Sequence, residues 1–188
     1  MSEGSSVAGR IGEGLYHYTL PYPSAENVQD TADRLCRFVI SLLANGVQKV
    51  FLYSMHSHFH FPGENAWRVL VTSDGMPHPS AAAFAVTAYL LEGTQPKAPF
   101  EIQPGLHGYP FVGSGRTVLV LAPRSESRFI PPSSLEWSLF DLWGNPYPEG
   151  QPLGKTIAYL VSERLSVEEL RERLTRLTPP GEGAETGE

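Results

Sequence analysis

Three histidines at alternating positions close the apolar run "KVFLYSMHSHFHF", Lys49 to Phe61: His56, His58 and His60. In an extended chain alternate residues face the same side, so three imidazoles converge. An H-x-H pair at a strand end, His56 with His58, holds zinc through ring nitrogens in some metal-dependent hydrolases. A neutral imidazole also hydrogen-bonds a substrate hydroxyl, which would make His56 and His58 the lining of a pocket. The plain alternative is loop packing. A zinc hydrolase needs further ligands downstream, and His78 and His107 fall in a turn and in a later β region, so no metal is assigned. Glu64 reads as an ordinary loop glutamate. Upstream, "GLYHYTLPY" gathers Tyr16, His17, Tyr18 and Tyr22, and Trp67 follows the histidines. Such rings either stack on the C–H faces of sugars or cover a neighbouring helix.

The elements that must position these groups are legible around them. "SAENVQDTADRLCRFVISLLANG" is a helix: Val28, Ala32, Leu35, Val39 and Leu42 recur at spacings of three and four, with Phe38 and Leu43 widening the stripe. Ser24 is placed to cap it, and Asn45-Gly46 to stop it. Val50-Phe51-Leu52-Tyr53 is apolar on both faces, as strands of a parallel sheet or barrel are. Trp67–Val71 reads as a short strand or extended loop, and Asp74-Gly75 as a turn. Pro79 and Ser80 open a second helix with Ala81, Phe84, Ala88 and Leu91 on its apolar face, ended by Gly93. Helix, buried strand, long loop, helix is the order of a parallel α/β fold.

From Thr94 the pattern changes. "TQPKAP" reads as a linker. The runs Phe100–Ile102, His107–Val112, Thr117–Ala122, Leu135–Asp141 and Thr156–Val161 then alternate with turn-rich clusters such as "GSGR" and "WGNP". This predicts a small antiparallel sandwich whose core includes Phe111, Val118, Val120, Leu139 and Phe140, with Trp137 and Trp143 packed on it. "SVEELRERLTRL" is a short helix opened by a Ser166–Glu169 capping box. The division is therefore 1–93 α/β, 98–162 β-sandwich, 163–177 terminal helix and 178–188 disordered tail.

Composition bounds the partners. The chain has 188 residues, 41% hydrophobic and 18% charged, which is globular composition. A net charge of −6 without a basic cluster excludes general nucleic-acid binding. No stretch reaches the ~20 apolar residues of a membrane span. The first residues lack the layout of a signal peptide, and an export signal would belong to a longer form. One cysteine, Cys36, excludes a disulfide framework, and its place on the first helix's apolar side predicts a buried, inert thiol. No phosphate loop or serine-hydrolase elbow is present. An α/β part with one clear strand and two helices cannot bury its own faces. It therefore either packs on the β domain or is the end of a larger α/β structure, and the partners it would call for are a missing barrel portion or a second copy.

With these residues in place, the chain resembles the C-terminal end of a clan A glycoside hydrolase. "LLANGVQKVFLYSMHS" is similar to the seventh barrel helix running into the eighth strand. "TSDGMPHPSAAAFAVTAYLLEG" resembles the turn that introduces the last helix, and "GYPFVGSGRTVLVLAP" with "SLFDLWGNPYP" resembles the accessory sandwich. "MSEG" resembles the end of the seventh strand, where these enzymes carry a nucleophilic glutamate. The resemblance spans Ser2 to about Ser162. It implies the last βα units of a (β/α)8 barrel followed by a sandwich, from a retaining hydrolase of poly- or oligosaccharides that needs no cofactor. It implies Glu3 as nucleophile, with His56, His58, Tyr18, Tyr53 and Trp67 binding sugar. A whole barrel takes about 250 residues. The clan's acid/base glutamate lies in an Asn-Glu pair after the fourth strand, and this chain has no such dipeptide. The implication is a fragment, inactive alone. Two other functions remain open from the residues themselves: a carbohydrate- or protein-binding sandwich module, and the metal-dependent hydrolase using His56 and His58.

Overall fold

The computed structural model describes residues 11–12, 15–16, 25–50, 70–71, 75–113 and 115–176. Two short strands, β1 (Ile11–Gly12) and β2 (Leu15–Tyr16), pair antiparallel. Helix α1 (Ala25–Ala44) follows where the apolar period places it. Ala32, Leu35, Cys36, Val39 and Ile40 are buried along one side, while the Asp30–Arg34 ion pair lies on the wet side. The expected stop is a Schellman motif. Gly46 takes φ 87°, its N–H reaches Leu43 O, and Val47 N–H reaches Leu42 O.

Helix α2 (Pro79–Leu91) begins with Pro79 at its first position, after His78 in extended backbone. It ends with Glu92 N–H on Ala88 O and Gly93 at φ 70°. Its buried face differs from the predicted one. Ser80, Ala83, Thr87, Leu90 and Leu91 are buried, Ala88 is exposed, and Ala81 and Phe84 are half-buried on a separate cluster with Leu35, Val39 and Leu70. Between Pro79 and Leu91 there is no charged residue, so polarity marks no outside. Packing against α1 and the sheet chooses the face instead.

The rest is one open antiparallel sheet. Its strands are β3 (Thr94–Pro96), β4 (Phe100–Gln103), β5 (Leu106–Gly113), β6 (Arg116–Pro123), β7 (Ser138–Phe140) and β8 (Ala158–Ser162). The order is β3-β5-β6-β8-β7, with β4 beside β3 along the same side of β5. Four of the predicted runs return within two residues as β4, β5, β6 and β8; the fifth shortens to β7. The expected linker at Thr94 is itself a strand. Pro96 has no N–H to give, which suits an edge. Gly113 lets β3 close on β5: a Cβ there would sit 2.3 Å from Gly93 O. The other edge is also occupied, since Phe140 bridges Pro146 and Tyr147 N–H reaches Leu139 O at 2.8 Å.

Strict alternation splits the sheet's side chains between two cores. Phe111, Val118, Val120 and Tyr159 meet Ala32, Cys36, Ile40, Ala83, Leu90 and Leu91 of the helices. On the opposite face Leu106, Leu119, Leu121 and Leu160 meet Phe100, Ile102, Phe129 and Leu153. There they also meet Leu170 and Leu174 of helix α3 (Val167–Arg176). Among the described residues the sheet is thus covered by helices and irregular chain, where a second sheet was expected. The predicted core residues Phe111, Val118 and Val120 are buried, and Leu139, Phe140, Trp137 and Trp143 pack against the cores at half exposure. The capping box forms as predicted. Ser166 N–H and hydroxyl both donate to Glu169 Oε2, at 2.8 and 2.9 Å, and Glu169 N–H returns to Ser166 Oγ.

Candidate functional site

The residues with expected chemistry, Glu3, Tyr18, Tyr53, His56, His58 and Trp67, lie outside the described residues, as do Ser24, His60, Glu64 and most of the Val50–Tyr53 run. The frame from which the histidine stretch is hung is described at both ends. The chain leaves α1 through the Schellman turn and reaches Val50, half-buried against the α1/α2 seam. It returns at Leu70, buried in that same cluster with Leu35 and Val39. His78 N–H then bonds Leu70 O at 2.8 Å, and Val71 bridges Pro77. Gly75, at φ 85°, makes the predicted turn between them. Val50 and Leu70, the described residues on either side of 51–69, therefore lie on one patch of the helix pair.

The described residues contain one buried polar cluster, where α1 meets α2 and the sheet. Asp33 is 7% exposed. Its Oδ1 accepts Ile157 N–H at 2.8 Å, and its Oδ2 accepts Arg37 Nε at 2.5 Å. Arg37 Nη2 then donates to Lys155 O at 2.8 Å. One turn along, Thr87 Oγ1 donates to Ala83 O at 3.0 Å and lies 2.6 Å from the Tyr159 hydroxyl. With the threonine proton committed to Ala83, Tyr159 is the donor in that pair. Cys36 interacts with both hydroxyls.

This cluster fastens; it does not react. Burial pushes the Cys36 thiol up to about 11, so no thiolate is available near neutral pH. Burial likewise holds the Tyr159 phenol far above its ordinary value. The buried, inert thiol is the one the sequence predicted. The cluster as a whole was not read from the sequence. Its signal was there, as three polar residues at core-facing positions: Asp33 inside α1's apolar stripe, Thr87 in an uncharged helix, and Tyr159 in "IAYLVS".

A second group joins the segment just before β7 to α3. Arg173 pairs with Glu136, whose carboxyl is held below its ordinary value by the Arg173 hydrogen bond. Glu169 is lowered by its Ser166 bonds. Both carboxylates favour the ionised form, whereas glycosidase chemistry needs one that keeps its proton. Ser162 Oγ ties the same corner by donating to Glu136 O and accepting Leu165 N–H. Asp141 builds the "DLWGN" turn, accepting Trp143 N–H and Asn145 N–H at 2.8 Å each. These are structural uses of polar groups. Among the described residues, no three His, Cys, Asp or Glu side chains come together as a metal site.

No family model matches the chain, and no curated protein matches it. Among solved structures, a family 39 glycoside hydrolase from the gut symbiont Bacteroides cellulosilyticus WH2 matches over 72% of this chain. The TM-score is 0.56 at 21% sequence identity. At that identity the likeness is one of fold. The match covers 30% of the solved chain, so this chain spans less than a third of its length.

Proposed function

We propose that this chain is the C-terminal part of a retaining glycoside hydrolase of clan A, acting on a poly- or oligosaccharide. Residues 1–93 are the last βα units of a (β/α)8 barrel, and 98–162 an accessory β domain that α3 completes. The observation that carries this reading is the fold likeness to a family 39 enzyme, found in a chain whose motifs resemble the same clan. Two neighbouring helices with Val50 and Leu70 packed at one seam also suit consecutive barrel helices joined through a strand. In this reading Glu3 attacks the anomeric carbon to form a glycosyl-enzyme. Tyr18, Tyr53, His56, His58 and Trp67 hold the sugar by stacking and hydrogen bonds. The proton donor belongs to the remaining barrel, about 5–5.5 Å from Glu3. Neither partner glutamate acts alone, so the isolated chain is inactive.

Coexpression with the polypeptide encoded directly upstream, followed by assay on aryl glycosides, tests the proposal. Hydrolysis is expected only when both are present, and Glu3→Gln is expected to lower it about a thousandfold or more. Full activity with that substitution removes Glu3 from the mechanism. No activity in any combination counts against the enzyme reading.

A further inference from the structure

We propose that Asp33, acting with Arg37, is a positioning residue: it locks helix α1 in one orientation on the sheet, and so sets where Val50 and Leu70, the described residues that flank the histidine-bearing stretch, stand on it. The tie to the histidines rests on the function proposed above; the lock itself does not.

The argument starts from what apolar packing leaves undecided. The side of α1 that meets the sheet is apolar, made of Ala32, Cys36 and Ile40. Apolar burial is non-directional, so this contact supplies no directional bond that fixes the helix's rotation over the sheet. Helix α1 leans mainly on α2 rather than on the strands. Hydrogen bonds have directions, and two of them act here on backbone far away in sequence. Asp33 reaches Ile157 N–H across 124 residues, and Arg37 reaches Lys155 O across 118. Their targets are two residues apart, just before β8. Two fixed points one helical turn apart on α1 define both its rotation and its height over the sheet. Val50 and Leu70, at the two ends of the histidine stretch, pack on this same helix. Rotation of α1 therefore moves both ends together.

Pulsed electron spin resonance distances read the lock directly. Labels go on exposed Ser41 of α1 and exposed Glu163 beyond β8, through Ser41→Cys and Glu163→Cys. A control pair uses Lys97→Cys with Glu163→Cys. Buried Cys36, with its raised pKa, does not compete for the label. The parent protein is expected to give one narrow distance for each pair. Asp33→Ala is expected to broaden or split the α1 distance and leave the control pair narrow. Asp33→Asn keeps an acceptor for Ile157 N–H and is expected to restore a single distance. A residue that only adds stability would lower the melting temperature and leave the distances alone. An unchanged, narrow α1 distance in folded Asp33→Ala overturns the proposal. Should that variant not fold, Arg37→Ala decides in its place: broadening supports the lock, and an unchanged distance overturns it. Either result leaves the glycosidase reading to its own assay.

Discussion

At the scale of single residues, several side chains matter because of what they leave out. Gly113 and Gly46 both have positive φ, for different reasons. A Cβ on Gly46 meets nothing within 4 Å, so Gly46→Ala costs only the left-handed backbone, about 1 kcal/mol. A Cβ on Gly113 runs into Gly93 O and, at 2.9 Å, Thr94 Cα, both of them backbone. Gly113→Ala must push β3 off β5 and is expected to cost about 3 kcal/mol. Urea titration of the two variants checks the ranking. Asp33 is the residue-scale opposite, a polar group placed where an apolar one would pack. Losing Asp33 leaves Ile157 N–H buried without an acceptor, which typically costs about 1–3 kcal/mol.

At the scale of elements, α3 is held by two unlike forces. Leu170 and Leu174 are fully buried under it. Glu136–Arg173 and the Ser166–Glu169 box hold its ends from the outside. The carboxyls of Glu136 and Glu169 are both lowered in the folded protein from an ordinary 4.5. Between the lowered and the ordinary values the unfolded chain binds more protons than the folded one. Their contribution is therefore complete above pH 4.5 and is lost as the pH falls through the lowered values. Denaturation at about pH 6 and about pH 3 is expected to show a smaller acid loss in Glu136→Gln than in the parent. Equal losses would mean that the ion pair contributes nothing to docking. The leucines are indifferent to pH, so α3 stays bound by its apolar side.

At the scale of the whole molecule, sheet and helices share one core. A β segment cut out as 98–162 would uncover Phe111, Val118, Val120 and Tyr159 on the face that α1 and α2 cover. At about 1.5–3 kcal/mol for each side chain, that loss is as large as the net stability of an ordinary domain, about 5–15 kcal/mol. The excised segment, which also lacks α3, is expected to show no cooperative melting transition by circular dichroism. A cooperative transition would favour the reading of the sheet as an independent binding module. The two parts also meet in sequence near residue 94. Thr94 Oγ1 caps α2 through Leu91 O at 2.6 Å while Thr94 already belongs to β3.

The sequence alone determined what local rules control: the length and stop of α1, the proline start of α2, the Ser166–Glu169 box, four strands to within two residues, and the inertness of Cys36. Most of these depend on residues a few positions apart, and Cys36 follows from its place in the apolar stripe of α1. It also placed the candidate chemistry at Glu3 and the histidines, on resemblance, and those positions lie outside the described residues. Tertiary structure decided which face of α2 goes inside, that a proline-bearing linker pairs as an edge strand, and that helices cover the sheet. It also decided that Asp33 is satisfied by backbone 124 residues away. An uncharged helix carries no mark of its outer face, and an apolar strand such as "TVLVLA" shows burial on both sides without saying what lies there. Those choices are made by surfaces meeting across long sequence distances, and no local pattern encodes them.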